Sequence, residues 1–164
     1  MKEVPEENIR DTLSIYKPEQ RVLKSASIDY LRINGTFFIG PTYYTLSSLK
    51  HATDIEIQLC LNQLAYVGPL EAVRLSIDPL LKDINFKSLQ EEGMYIIESK
   101  KRFRRQMSTD KDIAADLLVK SIIKKREIIL CYADFQFENN SCFGNLELAI
   151  INKKSKGDKN ERTF

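Results

Sequence analysis

Polar side chains near the middle of the chain have the types and spacing needed to bind a carbonyl group. Asn62 and Tyr66 lie four residues apart in the stretch TDIEIQLCLNQLAYV, residues 53–67. In an α-helix this step places both side chains on one face. A carboxamide and a phenol can each donate a hydrogen bond to a carbonyl oxygen. The pattern predicts a pocket for a ligand carbonyl, with Tyr44 as a further donor, although Tyr43 and Tyr44 also fit a packing pair.

The helix that carries these residues is the best-defined element in the sequence. Thr53 and Glu56 have the spacing of a capping box, and the Gly-Pro pair at residues 68–69 is typical of a helix end. A helix of about four turns that is apolar nearly all round is expected to be buried. A buried carboxamide without a partner costs about 1–3 kcal/mol. Asn62 therefore needs either backbone carbonyl groups or a ligand, whereas Gln63 is expected at solvent or at an interface.

Candidates for a general base lie at the start of the helix. Asp54 and Glu56 stand in its first turn, and His51, the single histidine of the chain, precedes it. Acids at this position also complement the helix dipole, and Glu56 is explained by the capping box alone. The free N–H groups of a helix start favour an oxygen that develops negative charge. Both interpretations stay open at this point.

A basic segment, SKKRFRRQ, surrounds Phe103 with cations. In a strand, Lys101 and Phe103 face one way, and Arg102 and Arg104 face the other. An edge strand protected by charge is the usual explanation. The alternative is a phosphate-binding strip, formed by Arg102, Arg104 and Phe103, for a nucleotide-carrying cofactor or the acidic face of a carrier protein.

Composition excludes several classes of protein. The chain has 164 residues, enough for one domain with a core, and a formal net charge of only +2, which argues against nucleic acid as a partner. The 3 cysteines, Cys60, Cys131 and Cys142, form no zinc-type spacing with the single histidine, so no metal is predicted. No apolar run is long enough to span a membrane, and the start has no signal-peptide pattern. A cytoplasmic location is expected.

The order of the other elements predicts an α+β fold. Residues 6–16 allow a short amphipathic helix, and segments rich in β-formers follow on both sides of the main helix. Residues 112–125 fit a helix or a strand, and Asn34-Gly35 fits a hairpin turn or a strand interior. The expected organisation is a helical segment (1–19), a main domain (20–152) in which an antiparallel sheet wraps around one long central helix, and a charged, disordered tail (153–164).

Four stretches resemble FcoT-type proteins, the long-chain fatty acyl-CoA thioesterase family with a hot-dog fold. The most specific is IQLCLNQLAYVG, which resembles the family's central helix. TFFIGPTYY, SKKRFRRQMSTDKDIAADLLVK and GNLELAIIN resemble its strands and the tyrosine loop, in order, over most of residues 28–152. The resemblance implies that residues 112–125 form a strand and that Asn34-Gly35 lies inside one.

The resemblance also implies site residues. The positions that match the family's polar site are Tyr44, His51, Thr53, Asn62, Tyr66 and, across a gap, Tyr16. Thr53 stands where the family has an asparagine, a change that keeps a helix cap. No cofactor is implied, and a homodimer or a higher homo-oligomer is expected because hot-dog sheets typically pair.

Three functions follow from the resemblance. The first is hydrolysis of a fatty acyl thioester of CoA or of an acyl carrier protein. The second is addition of glycine to a 2-enoyl thioester on a carrier protein, as relatives in isonitrile lipopeptide biosynthesis do, with Arg102 or Arg104 as the cation for the glycine carboxylate. The third is acyl binding without catalysis. The sequence predicts neither the acyl chain length nor the number of subunits.

Overall fold

The computed structural model describes residues 1–41, 44–81, 84, 87 and 89–151. Tyr43 and the predicted tail, residues 153–164, lie outside these ranges. In chain order the strands and helices are β1 (Lys2–Glu3), α1 (Glu6–Thr12), β2 (Leu23–Asp29), β3 (Arg32–Phe38), α2 (Asp54–Arg74), β4 (Met94–Phe103), β5 (Asp112–Lys125), β6 (Ile128–Phe137) and β7 (Cys142–Ile151).

The described strands form one sheet that covers helix α2. The 7 strands have the order β1-β2-β3-β5-β6-β7-β4, and every neighbouring pair is antiparallel. Alternate residues of the strands join the buried residues of α2 in a single apolar core. The predicted α+β arrangement, an antiparallel sheet around one long helix, is therefore confirmed. Strand β4, which follows α2 in sequence, forms one edge of the sheet.

Two ambiguities of the sequence are resolved as the resemblance implied. Residues 112–125 form strand β5, and Asn34-Gly35 lies inside β3, where Gly35 pairs with Ala115. A Cβ at Gly35 would lie 2.9 Å from the Leu64 side chain, so glycine here lets α2 pack close to the sheet. The turn between β2 and β3 falls instead at Tyr30, which has a φ of 49°.

Helix α2 is longer than the sequence predicts. It spans 21 residues and contains Pro69. Proline leaves the carbonyl four residues earlier without its N–H partner, but Gly68 has no Cβ to crowd the proline ring. Beyond the proline, Leu70 and Ala72 are buried against the core. Burial of this second apolar stretch outweighs the cost of the proline, so the predicted helix end at the Gly-Pro pair is wrong.

The N-terminal segment packs against the same core. Strand β1 pairs with β2, and Ile9 and Leu13 of the predicted amphipathic helix are buried. Arg74, at the end of α2, forms ion pairs with Asp11 (2.6 Å) and with the buried Glu71. These contacts fix α1 beside the second half of α2.

Candidate functional site

A polar stripe runs along the one incompletely buried face of α2. It consists of Asp54, Gln58, Asn62 and Tyr66, each four residues from the next, and it is exposed at Asp54 and half-buried at the other three positions. Side chains four residues apart lie one above the other on a helix. Lys101 of β4 contacts both Asp54 and Gln58, so the stripe faces the inner side of the sheet edge.

Three side chains of this region form a chain of hydrogen bonds. Lys101 Nζ lies 3.0 Å from Asp54 Oδ1 and donates to Gln58 Oε1, and Gln58 Nε2 donates to Asn62 Oδ1 over 2.9 Å. The Asn62 oxygen is thereby occupied. Among the residues that the structure describes, the Asn62 amide nitrogen has no hydrogen-bond partner. The N–H groups of Asn62 are therefore available for a further hydrogen bond.

The two neighbouring carboxamides have environments opposite to those predicted. Gln63, expected at solvent or at an interface, is completely buried inside the chain, and Asn62, expected to be buried, is half-buried. Gln63 Oε1 accepts from the backbone N–H groups of Val22 (3.1 Å) and Leu23 (3.0 Å), and its Nε2 donates to the Gln20 carbonyl over 2.6 Å. The prediction for Gln63 is wrong because backbone N–H and carbonyl groups at the start of β2 need hydrogen-bond partners, and the Gln63 side chain supplies them.

A second polar cluster lies at the start of α2. Glu56 Oε2 accepts from the Thr53 N–H (2.8 Å) and hydroxyl, and Glu56 Oε1 accepts from the Tyr44 hydroxyl. The predicted capping box is confirmed. Burial alone raises the pKa of Glu56, but the hydrogen bonds from Thr53 and Tyr44 outweigh it and hold this pKa below its usual value. The carboxylate is thus ionised near neutral pH, with both oxygens engaged.

Tyrosines meet at the other end of the stripe. The rings of Tyr16 and Tyr66 pack edge to face, with 6.3 Å between their centroids. Burial, and secondarily the proximity of Tyr66, raises the pKa of Tyr16 to about 12. Burial and the nearby Tyr95 of β4 also raise the pKa of Tyr66. Both phenols stay protonated at neutral pH and can act as donors.

An apolar cavity of about 50 Å³ lies between the second half of α2 and the sheet. Ala65, Gly68 and Pro69 form its helix side, and Leu117 and Leu148 are among the sheet residues that line it. The small residues of the helix leave this space. Such a lining suits a hydrocarbon chain.

The cysteines offer no nucleophile. All 3 are buried and unpaired by disulfides. Burial raises the pKa of the Cys60 thiol well above its ordinary value. Burial, with the charge of Asp78 as a second cause, raises the pKa of Cys131 to about 12. Burial also raises the pKa of Cys142 to about 11. None is a thiolate near neutral pH, and the thiolate is the reactive form.

The basic segment divides between the two faces of β4. Phe103 shares the helix side with Lys101, whose side chain is only 11% exposed. Arg102 lies on the opposite face, opposite Phe143 of β7, and the Arg104 guanidinium stacks on the Phe143 ring at 4.8 Å. Arg102 and Arg104 are therefore not brought together with Asn62, and their predicted role in substrate binding stays a prediction.

The remaining predicted positions lie near the helix start. His51 is half-buried and pairs with Ser108 in an isolated antiparallel bridge, two residues before Thr53. The structure thus groups Tyr44 and Thr53 around Glu56, places Tyr66 against Tyr16, and leaves Asn62 between the two groups.

Three residues of this site were missed in the sequence. Gln58 contacts Asn62, Lys101 contacts Gln58, and Ser99 lies on the same side of β4 as Lys101, opposite the buried Leu146. The Ser99 hydroxyl is buried and has no hydrogen-bond partner among the described residues. The available signal for Gln58 was the four-residue repeat of polar side chains from Asp54 to Tyr66. Lys101 was predicted only as part of the basic segment, because its partner Gln58 lies 43 residues away in the sequence. No pattern of nearby residues indicated a role for Ser99.

Within the described ranges, no group of three or more His, Cys, Asp or Glu side chains is placed to hold a metal ion. No described helix is both long and apolar enough to cross a membrane.

Solved structures share this architecture. A mutant of thioesterase PA1618 from Pseudomonas aeruginosa matches with a TM-score of 0.55 at 10% identity, covering 90% of this chain and 94% of its own. A hypothetical thioesterase from Streptococcus pneumoniae, crystallised with coenzyme A, matches with a TM-score of 0.54 at 9% identity, covering 90% and 99%. The chain has a hot-dog fold. At this identity the hot-dog likeness establishes the architecture alone.

The likeness extends beyond proteins described as thioesterases. The fold also matches Cj0977, a sigma28-regulated virulence protein from Campylobacter jejuni, with a TM-score of 0.54 at 10% identity. The match covers 90% of this chain and 98% of Cj0977. No protein-family model matches the sequence. No curated protein sequence matches it either.

Proposed function

We propose that this protein is an enzyme that acts on fatty acyl thioesters of CoA or of an acyl carrier protein, by hydrolysis of the thioester. Water attacks the carbonyl carbon, the C–S bond breaks, and a carboxylate and a thiol are released. The proposal draws on the resemblance to FcoT-type thioesterases and on the hot-dog fold. It does not require a metal, a redox cofactor or a cysteine nucleophile.

The observation that carries the proposal is the state of the Asn62 amide. Its oxygen accepts from Gln58, and its nitrogen has no partner among the described residues. A fixed N–H donor stabilises the negative charge that develops on a thioester oxygen during attack. Tyr66, one turn further along the helix, is a protonated phenol on the same face and can donate to the same substrate.

The acyl chain would enter the cavity beside the second half of α2. This cavity begins at Ala65, one turn after Asn62, and its wall is almost entirely apolar. Burial of a methylene group contributes about 0.8 kcal/mol, so the cavity supplies affinity in proportion to the chain that it holds. At about 50 Å³ it accepts only part of a fatty acyl chain unless neighbouring side chains move.

One observation favours the addition of glycine as a second candidate function. Hydrolysis needs a group that takes a proton from water, but both oxygens of Glu56 are engaged by Thr53 and Tyr44. An amine needs less activation than water, because the free-amine form of glycine has a lone pair that can attack the β-carbon of a 2-enoyl thioester directly. As the new N–C bond forms, the electron pair of the C=C bond shifts toward the carbonyl oxygen. Asn62 would stabilise the negative charge that develops on this oxygen. A proton from the amine nitrogen is finally transferred to the α-carbon.

We further propose that the protein assembles as a homodimer or a higher homo-oligomer. Strand β4 pairs with β7 on one side, and its other side has no strand partner among the described residues. Tyr95 (49% exposed) and Ile97 (54% exposed) add apolar surface at this edge. An open edge with exposed apolar side chains favours pairing with a second copy.

The direct test is to incubate the purified protein with a 2-enoyl acyl carrier protein, with and without glycine, and to measure the intact mass of the carrier. Hydrolysis removes the acyl group in both samples. Addition of glycine instead increases the mass only when glycine is present, with the thioester retained. Long-chain acyl-CoA is the second substrate to test. Tight binding of both substrates without any product would assign the protein to the non-catalytic acyl-binding class and overturn the proposal.

The Asn62→Ala variant tests the role of the residue. Its turnover should fall by about 100-fold, the usual effect of removing one oxyanion donor. A matched control is Asn145→Ala, on the exposed outer part of β7. Equal turnover in the Asn62→Ala variant and the native protein would contradict the proposed site.

A further inference from the structure

The carboxamide of Asn62 has two orientations of almost the same shape. One presents N–H donors to a ligand, and the other presents an oxygen. Only the first can stabilise the negative charge of an acyl oxygen. A site that relies on this amide must therefore contain a group that distinguishes its oxygen from its nitrogen.

The direct neighbour, Gln58, cannot make that distinction alone. A glutamine side chain is itself a carboxamide with the same ambiguity, so a pair of them has two consistent arrangements. In one, Gln58 donates to Asn62; in the other, Asn62 donates to Gln58. The second arrangement would leave the Asn62 oxygen facing the substrate.

Lys101 removes the ambiguity. An ammonium group carries donors only. It donates to Gln58 Oε1, which obliges Gln58 to direct its Nε2 toward Asn62 and obliges Asn62 to accept through Oδ1. The ammonium is itself held in place by Asp54, 3.0 Å away, and its side chain is 11% exposed.

We propose that Lys101, acting through Gln58, sets the orientation of the Asn62 amide so that its N–H groups face the acyl oxygen. Lys101 and Gln58 are thus positioning residues that do not touch the substrate. This inference rests on the proposed function of Asn62, since it explains how that residue is kept as a donor.

The Gln58→Glu variant inverts the arrangement at one atom. A carboxylate still accepts the hydrogen bond from Lys101 but cannot donate, so the Asn62 N–H groups turn toward it and the Asn62 oxygen turns toward the substrate. The value of kcat should fall by about 100-fold, as for loss of an oxyanion donor, with KM changed much less. Far-UV circular dichroism and the thermal unfolding midpoint should stay close to those of the native protein.

Variants at Lys101 test whether this residue sets the orientation of the two amides. In Lys101→Met, Gln58 loses its fixed orientation, the Asn62 amide populates both states, and kcat falls by a few-fold. Lys101→Arg restores the native kcat because a guanidinium is also a pure donor. The matched control is Lys100→Met, since Lys100 is exposed and lies on the opposite face of β4. If the role of Lys101 were merely structural, Lys101→Met would lower the thermal unfolding midpoint while the kcat of the folded variant stayed at the native value.

Nuclear magnetic resonance provides a readout that does not depend on activity. Side-chain amide protons exchange with water slowly when they are hydrogen-bonded. In the native protein the Gln58 amide protons should be protected and those of Asn62 should not; in Gln58→Glu those of Asn62 should become protected.

The outcomes separate this inference from the proposed function. If Asn62→Ala loses turnover while Gln58→Glu keeps it, the positioning role is overturned and the proposed site stands. If Asn62→Ala keeps its turnover, the proposed function of the residue fails, and the exchange pattern alone decides its orientation. Asn62 amide protons that are already protected in the native protein would overturn the inference in either case.

Discussion

At the scale of single residues, chemically equal side chains differ in role because their neighbours differ. Asn62 and Gln63 are adjacent carboxamides. Gln63 makes three hydrogen bonds to backbone groups in the core, and Asn62 keeps its N–H groups available. Glu56 likewise carries a charge near neutral pH, but its hydrogen bonds make it a structural carboxylate more than an open base.

The Tyr44→Phe substitution should raise the pKa of Glu56, because the phenol hydrogen bond stabilises the carboxylate. A ¹³C titration of the Glu56 carboxyl group measures this directly. Since the folded pKa lies below the ordinary value of 4.5, this carboxylate stabilises the fold above that pH, and the contribution is lost as pH falls. The variant should therefore show a smaller loss of stability on acidification. An unchanged carboxyl titration would contradict the contact between Tyr44 and Glu56.

Tyr16 should ionise near pH 12, as followed by the ultraviolet absorbance of the phenolate. In the unfolded chain the same phenol should titrate near its ordinary value of 10.0. Because the folded pKa is the higher one, stability is retained below pH 10 and is lost as pH rises toward 12. Tyr16→Phe should remove this titration from the absorbance curve and the corresponding loss from the curve of stability against pH. A Tyr16 titration that is the same in folded and unfolded protein would contradict its burial against Tyr66.

At the scale of elements, helix α2 positions most of the site residues. Its capping box fixes where the polar stripe begins, and its extension beyond Pro69 forms one wall of the cavity. Gln63 connects this helix to the start of β2 through three hydrogen bonds to backbone groups. The position of the helix relative to the sheet depends on this contact.

Gln63→Met should destabilise the protein strongly with little change in shape, since methionine has nearly the same size. It leaves two buried N–H groups and one carbonyl without partners, which should lower the free energy of unfolding by about 3 kcal/mol or more. Urea unfolding measures the change. The control is Gln106→Met on the exposed surface, where the effect should stay within about 0.5 kcal/mol. Equal stability of the two variants would contradict the role assigned to Gln63.

At the scale of the whole molecule, strand β4 forms an open edge of the sheet. Among the described strands it pairs with β7 alone, whereas each strand between β2 and β7 in the order of the sheet has a neighbour on both sides. Its inner side carries Lys101 and Ser99, so an assembly through this edge would lie next to the polar stripe of α2.

Ile97→Lys should dissociate the proposed assembly, because it places a charge on the open edge of β4. Light scattering should give a mass near that of one 19.0 kDa chain for this variant and a multiple of it for the native protein. Ile128→Lys is the control, since Ile128 is similarly exposed but pairs with Lys125 of β5 on one side and with Ile151 of β7 on the other. A native protein that is already monomeric would overturn the proposed assembly.

The sequence by itself determined the elements whose signals are local. The capping box at Thr53 and Glu56 and the short helix near the start of the chain both depend on residues close together in the sequence, and the structure has each of them. The resemblance, more than the residue pattern, decided that residues 112–125 form a strand and that Asn34-Gly35 lies inside one. The α+β class followed from the order of these elements.

Only the tertiary structure decided which carboxamide is structural, where α2 ends, and which residues orient Asn62. Gln63 depends on the start of β2, and the turns after Pro69 depend on burial against the sheet. Lys101 reaches Gln58 across 43 residues of sequence. Each of these contacts joins residues that are distant in the chain, and their free energy exists only once the sheet has packed around the helix, so no local pattern could predict them.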